Sequence, residues 1–356
     1  MMLIPGPVEV SEKTMEASRL VTNHRSESFK NIVRNSEKLL NKFSDSTHSL
    51  MITGSGTLAV ESMIYSFTKP KDNVLAVTFG EFGNRLIESS QRRGLKVHRI
   101  NKSISEHLEV GEITDYVSSH REISSIFIIH NETGNGTAIK NLKNVVRESK
   151  ENGLQVLVDG VSSFAGLPVK INEWGIDVMA SCSQKGIASV PGIGIVFIGK
   201  EANESLIQSN DIPKYLDAKI GIDFLNKGET AFTPSTGAFN ALHNALNELE
   251  SETIDARNQR HAKIASFLRG KLKESGSKIY GNELNYSDTV IAFEPSIPAT
   301  KLRAELLKRN IEVANGMGEL NGKILRMGNM GLVSEKIAAE FINTYQEILS
   351  EGITLN

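Results

Sequence analysis

A lysine and an aspartate stand where the chain could carry out chemistry on a carbonyl compound. Lys185 follows an apolar run and is flanked by Ser183 and Gly186, which is a poor setting for a solvated charge. Burial lowers the pKa of a lysine amine and makes it available as a nucleophile toward a carbonyl group. Asp159 closes another apolar run 26 residues earlier, and a buried carboxylate requires a cationic partner. The pair predicts a ligand site, and a structural lysine with a loop-capping aspartate is the alternative.

A glycine-rich turn offers a place for a phosphate group. The segment TGSGTLAVES begins at Thr53, where an apolar run ends, and continues into a helix-like segment. Backbone N–H groups at such a helix start, with the hydroxyls of Ser55 and Thr57, favour an anion. A plain turn with an N-cap serine or threonine is the alternative. The turn lacks the lysine of a P-loop and the spacing of a dinucleotide fingerprint, which disfavours ATP and NAD.

The elements that must position these residues alternate regularly over about residues 50–200. Short β-branched runs alternate with helix-period segments, which is typical of a mostly parallel sheet covered by helices. Neighbouring strands of such a sheet end at one edge, where ligands bind, so Asp159 and Lys185 are expected to meet there. The predicted strands are Leu50–Thr53, Val74–Thr78, Lys96–Ile100, Ser125–His130, Gln155–Asp159, Val178–Ser181 and Gly192–Gly199. The predicted helices are Thr57–Phe67, Asn84–Gly94 and Ile139–Asn152. The fold class is therefore α/β.

The rest of the chain is predicted to form a second unit. Residues 201–250 show less regular patterning, and an amphipathic helix over Thr253–Ser275 then connects to that unit. Its predicted elements are strand Thr289–Phe293, helix Ala299–Asn310, strands Ile311–Ala314 and Lys323–Met327, and helix Glu335–Leu349. We therefore predict an N-terminal arm (residues 1–20), a large domain (21–252) and a small α+β C-terminal domain (253–356).

Composition excludes several classes of function. The 356 residues carry 40 Lys and Arg against 42 Asp and Glu, so no net field attracts nucleic acid or anionic lipid. The single cysteine, Cys182, excludes an internal disulfide and a multi-cysteine metal site. No run approaches the roughly 20 apolar residues that span a bilayer, and the N-terminus has no basic leader. We expect a soluble, cytoplasmic protein without a metal, nucleic-acid or membrane partner.

Eight segments in order along the chain carry a resemblance to a known family. They are PGPVEVS, HRSESF, TGSGTLAVES, HNETGNG, VDGVSSF, SQKG, TPSTG and LRMGNMG. Together they resemble the class V pyridoxal-phosphate aminotransferases of the alanine:glyoxylate and serine:pyruvate type, over nearly the whole chain. The resemblance implies a fold type I transferase with a mostly parallel seven-stranded sheet, and pyridoxal 5'-phosphate as cofactor.

The resemblance also implies roles for individual residues. Lys185 would hold the cofactor as an internal aldimine and then shuttle a proton between the substrate carbon and the cofactor, while Asp159 would pair with the ring nitrogen. Arg326 would clamp the substrate α-carboxylate, and Gly6 would line the same pocket. The residue at Thr233 comes from the other subunit in this family, which implies a homodimer with shared active sites. The cofactor-binding residues implied are Ser55, Gly56, Thr57, Phe82, Thr133, Asp159, Gln184, Lys185, Thr230 and Thr233.

Three positions depart from the family pattern. Phe82 stands where relatives place a tryptophan over the cofactor ring, so the ring can stack but donates no hydrogen bond. Gly134 stands where relatives often have a hydroxyl, which leaves Thr133 or Asn135 to contact the ring oxygen. Thr230 takes the position of a partner-subunit tyrosine and is a shorter phosphate ligand.

The leading hypothesis is an aminotransferase that moves an amino group from alanine or serine to glyoxylate or pyruvate. Aspartate with 2-oxoglutarate is the alternative substrate pair, and it needs a second cation beyond Arg326, for which Arg25 and Arg85 are candidates. A cysteine desulfurase would need a mobile loop cysteine, whereas Cys182 lies in a predicted strand. A non-catalytic homologue would have no physical need for Asp159, Lys185 and Arg326 together.

Overall fold

A large sheet forms the centre of the protein. The computed structural model describes residues 1–204, 206 and 210–351. The strands are β1 His48–Thr53, β2 Asn73–Thr78, β3 Lys96–Asn101, β4 Ile123–Ile129, β5 Asn131–Glu132, β6 Thr137–Ala138, β7 Gln155–Asp159, β8 Val178–Cys182, β9 Ile193–Ile198, β10 Lys278–Ile279, β11 Val290–Glu294, β12 Ala314–Asn315 and β13 Leu325–Gly328.

Within the described residues seven strands form this sheet, in the order β1-β9-β8-β7-β4-β2-β3. The pairs from β8 through β7, β4 and β2 to β3 are parallel. Strand β9 runs antiparallel to both of its neighbours. The prediction of a mostly parallel seven-stranded α/β sheet is therefore confirmed, with β9 as the reversed strand.

Helices cover both faces of the sheet. They are α1 Glu12–Ser18, α2 Glu27–Ser44, α3 Gly56–Phe67, α4 Glu81–Arg93, α5 Gly111–Ser118, α6 Leu142–Glu151, α7 Ile171–Trp174, α8 Lys200–Glu204, α9 Ala218–Leu225, α10 Thr236–Glu252, α11 Ile254–Glu274, α12 Ala299–Lys308 and α13 Glu335–Ser350. Alternate strand residues enter two cores, so Val156 and Val158 pack on one face and Leu157 packs on the other. Strands buried on both faces explain the continuous apolar runs in the sequence.

A second sheet and its own core lie in the C-terminal part of the chain. Strands β10, β11, β13 and β12 form an antiparallel sheet in that order. Its apolar side packs against α11, α12 and α13 through a separate core cluster, and Leu3 of the N-terminal segment enters that cluster. Met2 forms a parallel bridge to Glu312, so the N-terminal segment runs beside this sheet. Residues 352–356, with which the predicted small domain ends, lie outside the described residues, and we retain the three domain boundaries as a proposal.

The predicted elements and the observed ones differ in a few places. The described residues from 210 to 250 are more regular than predicted, because they include α9 and most of α10, and α10 buries residues such as Phe239 and Leu242. The apolar residues of α10 recur at helical spacing, from Ala238 through Leu242 and Ala245 to Leu249, so the sequence did contain the signal for this helix. The strand predicted over Ile311–Ala314 is observed as β12, which covers Ala314–Asn315. Among the described residues, no helix has the length and apolar character required to cross a membrane.

Candidate active site

Asp159 and Lys185 meet at one edge of the large sheet. Asp159 is the last residue of β7, and Lys185 lies three residues beyond the end of the neighbouring strand β8. The two strands are parallel, with Asp159 opposite Ala180. Their carboxyl ends therefore open onto the same cavity. We call it the inner cavity; it measures about 170 Å³, and eight of the predicted residues line it: Ser55, Gly56, Thr57, Phe82, Thr133, Asp159, Gln184 and Lys185.

The amine of Lys185 also faces a second, larger cavity. This outer cavity measures about 620 Å³ and is lined by Gly6, Thr133, Lys185 and Arg326, among others. The Lys185 Nζ donates a hydrogen bond to the Pro5 carbonyl over 2.7 Å. A Cβ on Gly6 would come within 2.6 Å of the Lys185 side chain, and Gly6 has a φ of +129°. Glycine is therefore required where the N-terminal segment passes the lysine.

Burial and neighbouring charges tune both titratable groups. Loss of hydration lowers the pKa of the Lys185 amine below its ordinary value; Arg326 lowers it further, and Cys182 and Asp159 oppose the shift. Loss of hydration also raises the pKa of Asp159 to about 6, although the Val161 N–H and Lys185 pull it down. The Asp159 Oδ1 accepts that N–H bond over 2.9 Å. A lysine with a lowered pKa beside a carboxylate can act as nucleophile and base near neutral pH.

The start of α3 supplies an open anion site. Ser55 is the N-cap residue of this helix, and its hydroxyl makes no capping hydrogen bond to any described residue. Ser55 therefore takes the N-cap position that the plain-turn alternative predicts, but its hydroxyl closes no cap within the described residues. A Cβ on Gly56 would lie 3.0 Å from Val161 Cγ1, so the backbone approaches the β7–β8 edge closely. The first N–H groups of α3 and the hydroxyls of Ser55 and Thr57 remain available to an anion in the inner cavity.

A buried carboxylate, Glu132, fixes the aromatic wall of the site. It is 1% exposed and accepts backbone N–H bonds from Phe82 and Gly83 at the start of α4, at 3.0 and 3.2 Å. Its other oxygen accepts the N–H of Gly134 over 2.9 Å. Loss of hydration raises the pKa of Glu132, and these N–H groups oppose the shift. Glu132 therefore holds the Phe82 segment against the β5–β6 hairpin.

The structure distinguishes Thr133 from Asn135 as the residue that could replace the hydroxyl absent at Gly134. Thr133 lines both cavities and donates its hydroxyl to Ser162 Oγ over 2.7 Å. Asn135 instead donates to the Phe79 carbonyl and accepts the N–H of Thr137. Gly134 lines neither the inner nor the outer cavity. Of the residues considered, Thr133 is the one that presents a hydroxyl to the site.

Arg326 joins the C-terminal sheet to the turn of the β5–β6 hairpin and lines the outer cavity. It lies on β13, and its Nη1 donates to the Thr133 carbonyl over 2.8 Å while its Nε donates to the Asn315 carbonyl over 2.6 Å. Burial lowers the pKa of Arg326, and the carboxylate of Glu132 opposes the shift. The guanidinium is therefore held rigidly beside Lys185 and can present a planar donor to a carboxylate.

Arg257 supports the loop that carries the lysine. It is buried near the start of α11, and its Nη1 donates to the carbonyls of Gly186 and Ile187, each over 3.1 Å. Glu252 neutralises it with an ion pair of 2.7 Å. Sequence reasoning missed Arg257 and Glu132. Glu132 lies within the HNETGNG segment, so a motif in the sequence did point to its neighbourhood. Arg257 lies in the first turn of α11 among other polar residues, and no motif marks it.

Thr230 and Thr233 lie apart from the residues they were predicted to join. The Thr230 hydroxyl donates to the Phe232 carbonyl, and Thr230 lines a different cavity, with Tyr215 and Phe232. Thr233 is exposed. Neither lines the inner cavity of its own chain. Their predicted role requires a second subunit and stays a prediction.

The groups around the inner cavity fit the cofactor that the sequence resemblance implies. Its phosphate would meet the open start of α3, its ring nitrogen would meet the Asp159 carboxylate, and its carbonyl carbon would meet the Lys185 amine. Phe82 supplies an apolar face for the ring. Each chemical feature of the cofactor therefore has a matching group in the cavity.

Comparisons with known proteins agree with this geometry. The family model described as Aminotransferase class-V matches residues 9–325. An uncharacterized aminotransferase of Methanocaldococcus jannaschii is 31% identical over 343 residues, covering 94% of this chain and 89% of that protein. The L-aspartate–glyoxylate aminotransferase of Paracoccus denitrificans is 27% identical, covering 98% and 90%. The crystal structure of an alanine–glyoxylate aminotransferase from Nostoc sp. superposes with a TM-score of 0.92 at 27% identity, covering 98% and 94%.

Proposed function

Because the chain belongs to the class-V aminotransferase family, we propose that it is a transaminase that moves an amino group from alanine or serine to glyoxylate or pyruvate. Pyridoxal 5'-phosphate is the proposed cofactor. The resemblance of the eight sequence segments supports these substrates, and so does the likeness to an alanine–glyoxylate aminotransferase. The observation that carries the proposal is the meeting of Lys185 and Asp159 at one sheet edge beside Arg326.

The proposed cofactor supplies an electron sink that makes the hydrogen on the α-carbon of an amino acid acidic. Ser55, Gly56 and Thr57 would bind its phosphate, and Phe82 would supply an apolar face for its ring. Asp159 would favour a protonated ring nitrogen, because a carboxylate that has lost hydration is stabilised by an adjacent positive charge. Gln184 and Thr133 line the same cavity and complete the polar contacts.

Lys185 has two tasks in this proposal. Its amine would hold the cofactor, and the free amine would take the proton from the substrate α-carbon and pass it to the cofactor. A base works best when its pKa lies near the working pH, and burial moves the pKa of Lys185 in that direction. Arg326 orients the substrate by binding its α-carboxylate in a planar, two-bond contact. The substrate therefore lies in the outer cavity with its α-carbon facing Lys185.

The proposed active unit is a homodimer in the cytoplasm. Support for the dimer comes from apolar side chains on one surface: Leu20 is 57% exposed and Val21 is 91% exposed. Thr22 and Asn240 join this segment to α10 near Phe232 and Thr233. Burial of such a surface against a second copy would bring Thr230 and Thr233 to the partner's phosphate site. Support for the compartment comes from Cys182, which is buried and unpaired.

The cysteine desulfurase alternative is disfavoured by the position of the thiol. Cys182 is 1% exposed and is the last residue of β8. Burial raises its pKa to about 12. A buried thiol that stays protonated cannot serve as a mobile persulfide carrier.

Replacement of the lysine tests the proposal directly. We expect the purified wild-type protein with pyridoxal phosphate to show a visible absorbance band that alanine or serine bleaches and glyoxylate or pyruvate restores. Lys185→Ala removes the attachment point and the base, so the response to amino acids should fall by at least about 1,000-fold, as for loss of a principal catalytic group. The measurement is stopped-flow absorbance of each half-reaction.

Lys143→Ala is the matched control, because Lys143 is an exposed lysine paired with Glu173 at the surface. It should behave as wild type. A Lys185→Ala protein that turns over amino acid as fast as Lys143→Ala would contradict the proposed mechanism. A wild-type protein that does not take up pyridoxal phosphate would contradict the cofactor assignment.

A further inference from the structure

Two arginines line the outer cavity, and the proposed reaction uses one of them. Arg326 is half-buried next to Lys185, whereas Arg303 lies on α12 at the exposed side of the cavity. Sequence reasoning did not single out Arg303. The two candidates that it named for a second cation, Arg25 and Arg85, lie elsewhere.

The positions of those two candidates remove them from the outer cavity. Arg25 forms an ion pair with Glu229, which lines the cavity that holds Thr230. Arg85 lines the inner cavity, where its guanidinium lies 5.1 Å from the centre of the Phe82 ring and pairs with Glu81 over 3.4 Å. Neither arginine lines the outer cavity.

One extended segment anchors both arginines of the outer cavity. The Nε of Arg326 donates to the Asn315 carbonyl over 2.6 Å, and the Nε of Arg303 donates to the Val313 carbonyl over 3.1 Å. Carbonyls two residues apart in an extended chain point toward the same side and are separated by about 7 Å. The two Nε atoms are therefore anchored on carbonyls whose spacing is on the scale of a short dicarboxylic acid.

The lining of the outer cavity between Arg303 and Arg326 is complementary to a short hydrocarbon chain that ends in a carboxylate. Leu307 and Met317 contribute apolar surface to the outer cavity. Glu312 is the acidic residue of the lining, and within the described part of the chain no ion pair of 4.0 Å or less joins it to either arginine. An arginine anchored by its Nε keeps terminal N–H groups with which to bind a carboxylate.

We propose that Arg303 binds the distal carboxylate of a dicarboxylic amino acid whose α-carboxylate lies on Arg326. This inference rests on the proposed function and extends its substrate class: besides alanine or serine, the enzyme takes aspartate or glutamate as amino donor. A small amino acid uses Arg326 alone, and a dicarboxylic one uses both cations. One outer cavity thus serves both donor classes.

The test compares donors and non-reactive acids on the holoenzyme. Arg303→Ala should lower the rate constant of the half-reaction with aspartate about 10- to 100-fold more than that with alanine, because one charge-assisted contact is lost for aspartate alone. Titration calorimetry with succinate and with butyrate supplies a readout independent of turnover. Succinate should bind the wild-type protein more tightly than butyrate, and Arg303→Ala should abolish that preference.

Two further variants sharpen the result. Arg303→Lys should restore part of the succinate preference, because the charge remains and the planar fork is lost. Arg309→Ala is the matched control at the C-cap of the same helix, since Arg309 pairs with Glu305 and Glu351 outside the cavity. It should leave the preference for succinate unchanged.

The two proposals fail in different ways. If Arg303→Ala slows alanine and aspartate equally, or if the wild-type protein binds succinate no better than butyrate, the role of Arg303 is wrong. If the wild-type absorbance band responds to no amino acid at all, the proposed transamination is wrong, and calorimetry still measures the contact with succinate.

Discussion

The buried carboxylate of Asp159 lowers the free energy of unfolding of the cofactor-free protein. Loss of hydration raises its pKa from 3.8 to about 6, and the contact with Val161 offsets only part of that cost. A carboxyl whose pKa is higher in the folded state stabilises the protein below its unfolded pKa, and this contribution is lost as the pH rises through 6. The residue is therefore a site of stored electrostatic strain that a cationic ring nitrogen would relieve.

Asp159→Asn is expected to stabilise the cofactor-free protein at high pH. The pKa of Asp159 rises from 3.8 to about 6 and each pKa unit corresponds to about 1.4 kcal/mol, so the free energy of unfolding of Asp159→Asn should exceed that of the wild type by about 3 kcal/mol at pH 8. The difference should shrink toward zero at pH 4, where the wild-type carboxyl is protonated. Urea unfolding at both pH values measures it.

Asp115→Asn serves as the control for this experiment because Asp115 is exposed on α5. It should show little change between the two pH values relative to wild type. Equal stability of Asp159→Asn and the wild type at pH 8 would show that the carboxylate remains well solvated.

At the scale of elements, Glu132 joins three parts of the site that are remote in sequence. Both of its oxygens accept N–H bonds, from the start of α4 and from the turn after β5. The next residue, Thr133, uses its carbonyl to hold Arg326 of β13. A carboxylate at the start of a helix also interacts favourably with the helix dipole. One buried residue and its neighbour therefore set the relative positions of Phe82, the Thr133 hydroxyl and Arg326.

Glu132→Gln is expected to loosen that arrangement. The amide offers one acceptor oxygen where the carboxylate offers two, and its NH₂ group would face an N–H donor. We expect a fall of about 2 kcal/mol in the free energy of unfolding, together with weaker binding of pyridoxal phosphate and a raised KM for the amino donor. Urea unfolding, cofactor titration by absorbance and steady-state kinetics measure the three effects.

Glu81→Gln, on the first turn of the same helix, is the matched control. Glu81 pairs with Arg85 at the surface, and its replacement should change the free energy of unfolding by less than about 0.5 kcal/mol. If Glu132→Gln lowers the free energy of unfolding but leaves cofactor affinity and KM unchanged, Glu132 stabilises the fold and does not position the site.

At the scale of the whole molecule, the predicted phosphate ligands and the exposed apolar side chains lie on one part of the surface. Tyr215 and Phe232 are both more than a third exposed and stack on each other, with ring centroids 4.9 Å apart. Ser235 donates its N–H to the Thr53 hydroxyl, beside the turn that leads to Ser55. A second copy seated on this surface would bring its own Thr233 close to the inner cavity.

Mixing two inactive variants tests the shared site. In the proposed dimer, Lys185→Ala would disable the inner cavity of its own chain, and Thr233→Glu would place a repelling carboxylate at the phosphate site of the partner. Random reassortment of subunits of a symmetric dimer yields one intact site in half of the dimers, so about a quarter of wild-type activity should return. Activity after co-expression with two different tags measures it.

Lys185→Ala mixed with Asp159→Asn is the control, because both changes affect the inner cavity of one chain and no intact site can form. If the mixture with Thr233→Glu recovers no more activity than this control, Thr233 does not act across a subunit interface.

The sequence by itself determined the local features of this protein. Apolar runs such as Val156–Val158 are buried on both sheet faces, so their strands could be located from hydrophobicity alone. Three site residues could be identified because they are polar residues next to apolar runs or within a glycine-rich turn: Lys185, Asp159 and Ser55. The order of short motifs gave the family, since each motif is a local arrangement.

Only the tertiary structure decided how remote side chains meet. Arg303 and Arg326 are anchored by carbonyls of one extended segment, Glu132 ties α4 to a hairpin, and Arg257 supports the lysine loop. Each of these contacts joins elements with no pattern in common along the chain. Polar residues on helices carry no periodic signal that distinguishes a solvated charge from a buried partner, because the distinction depends on what packs against them.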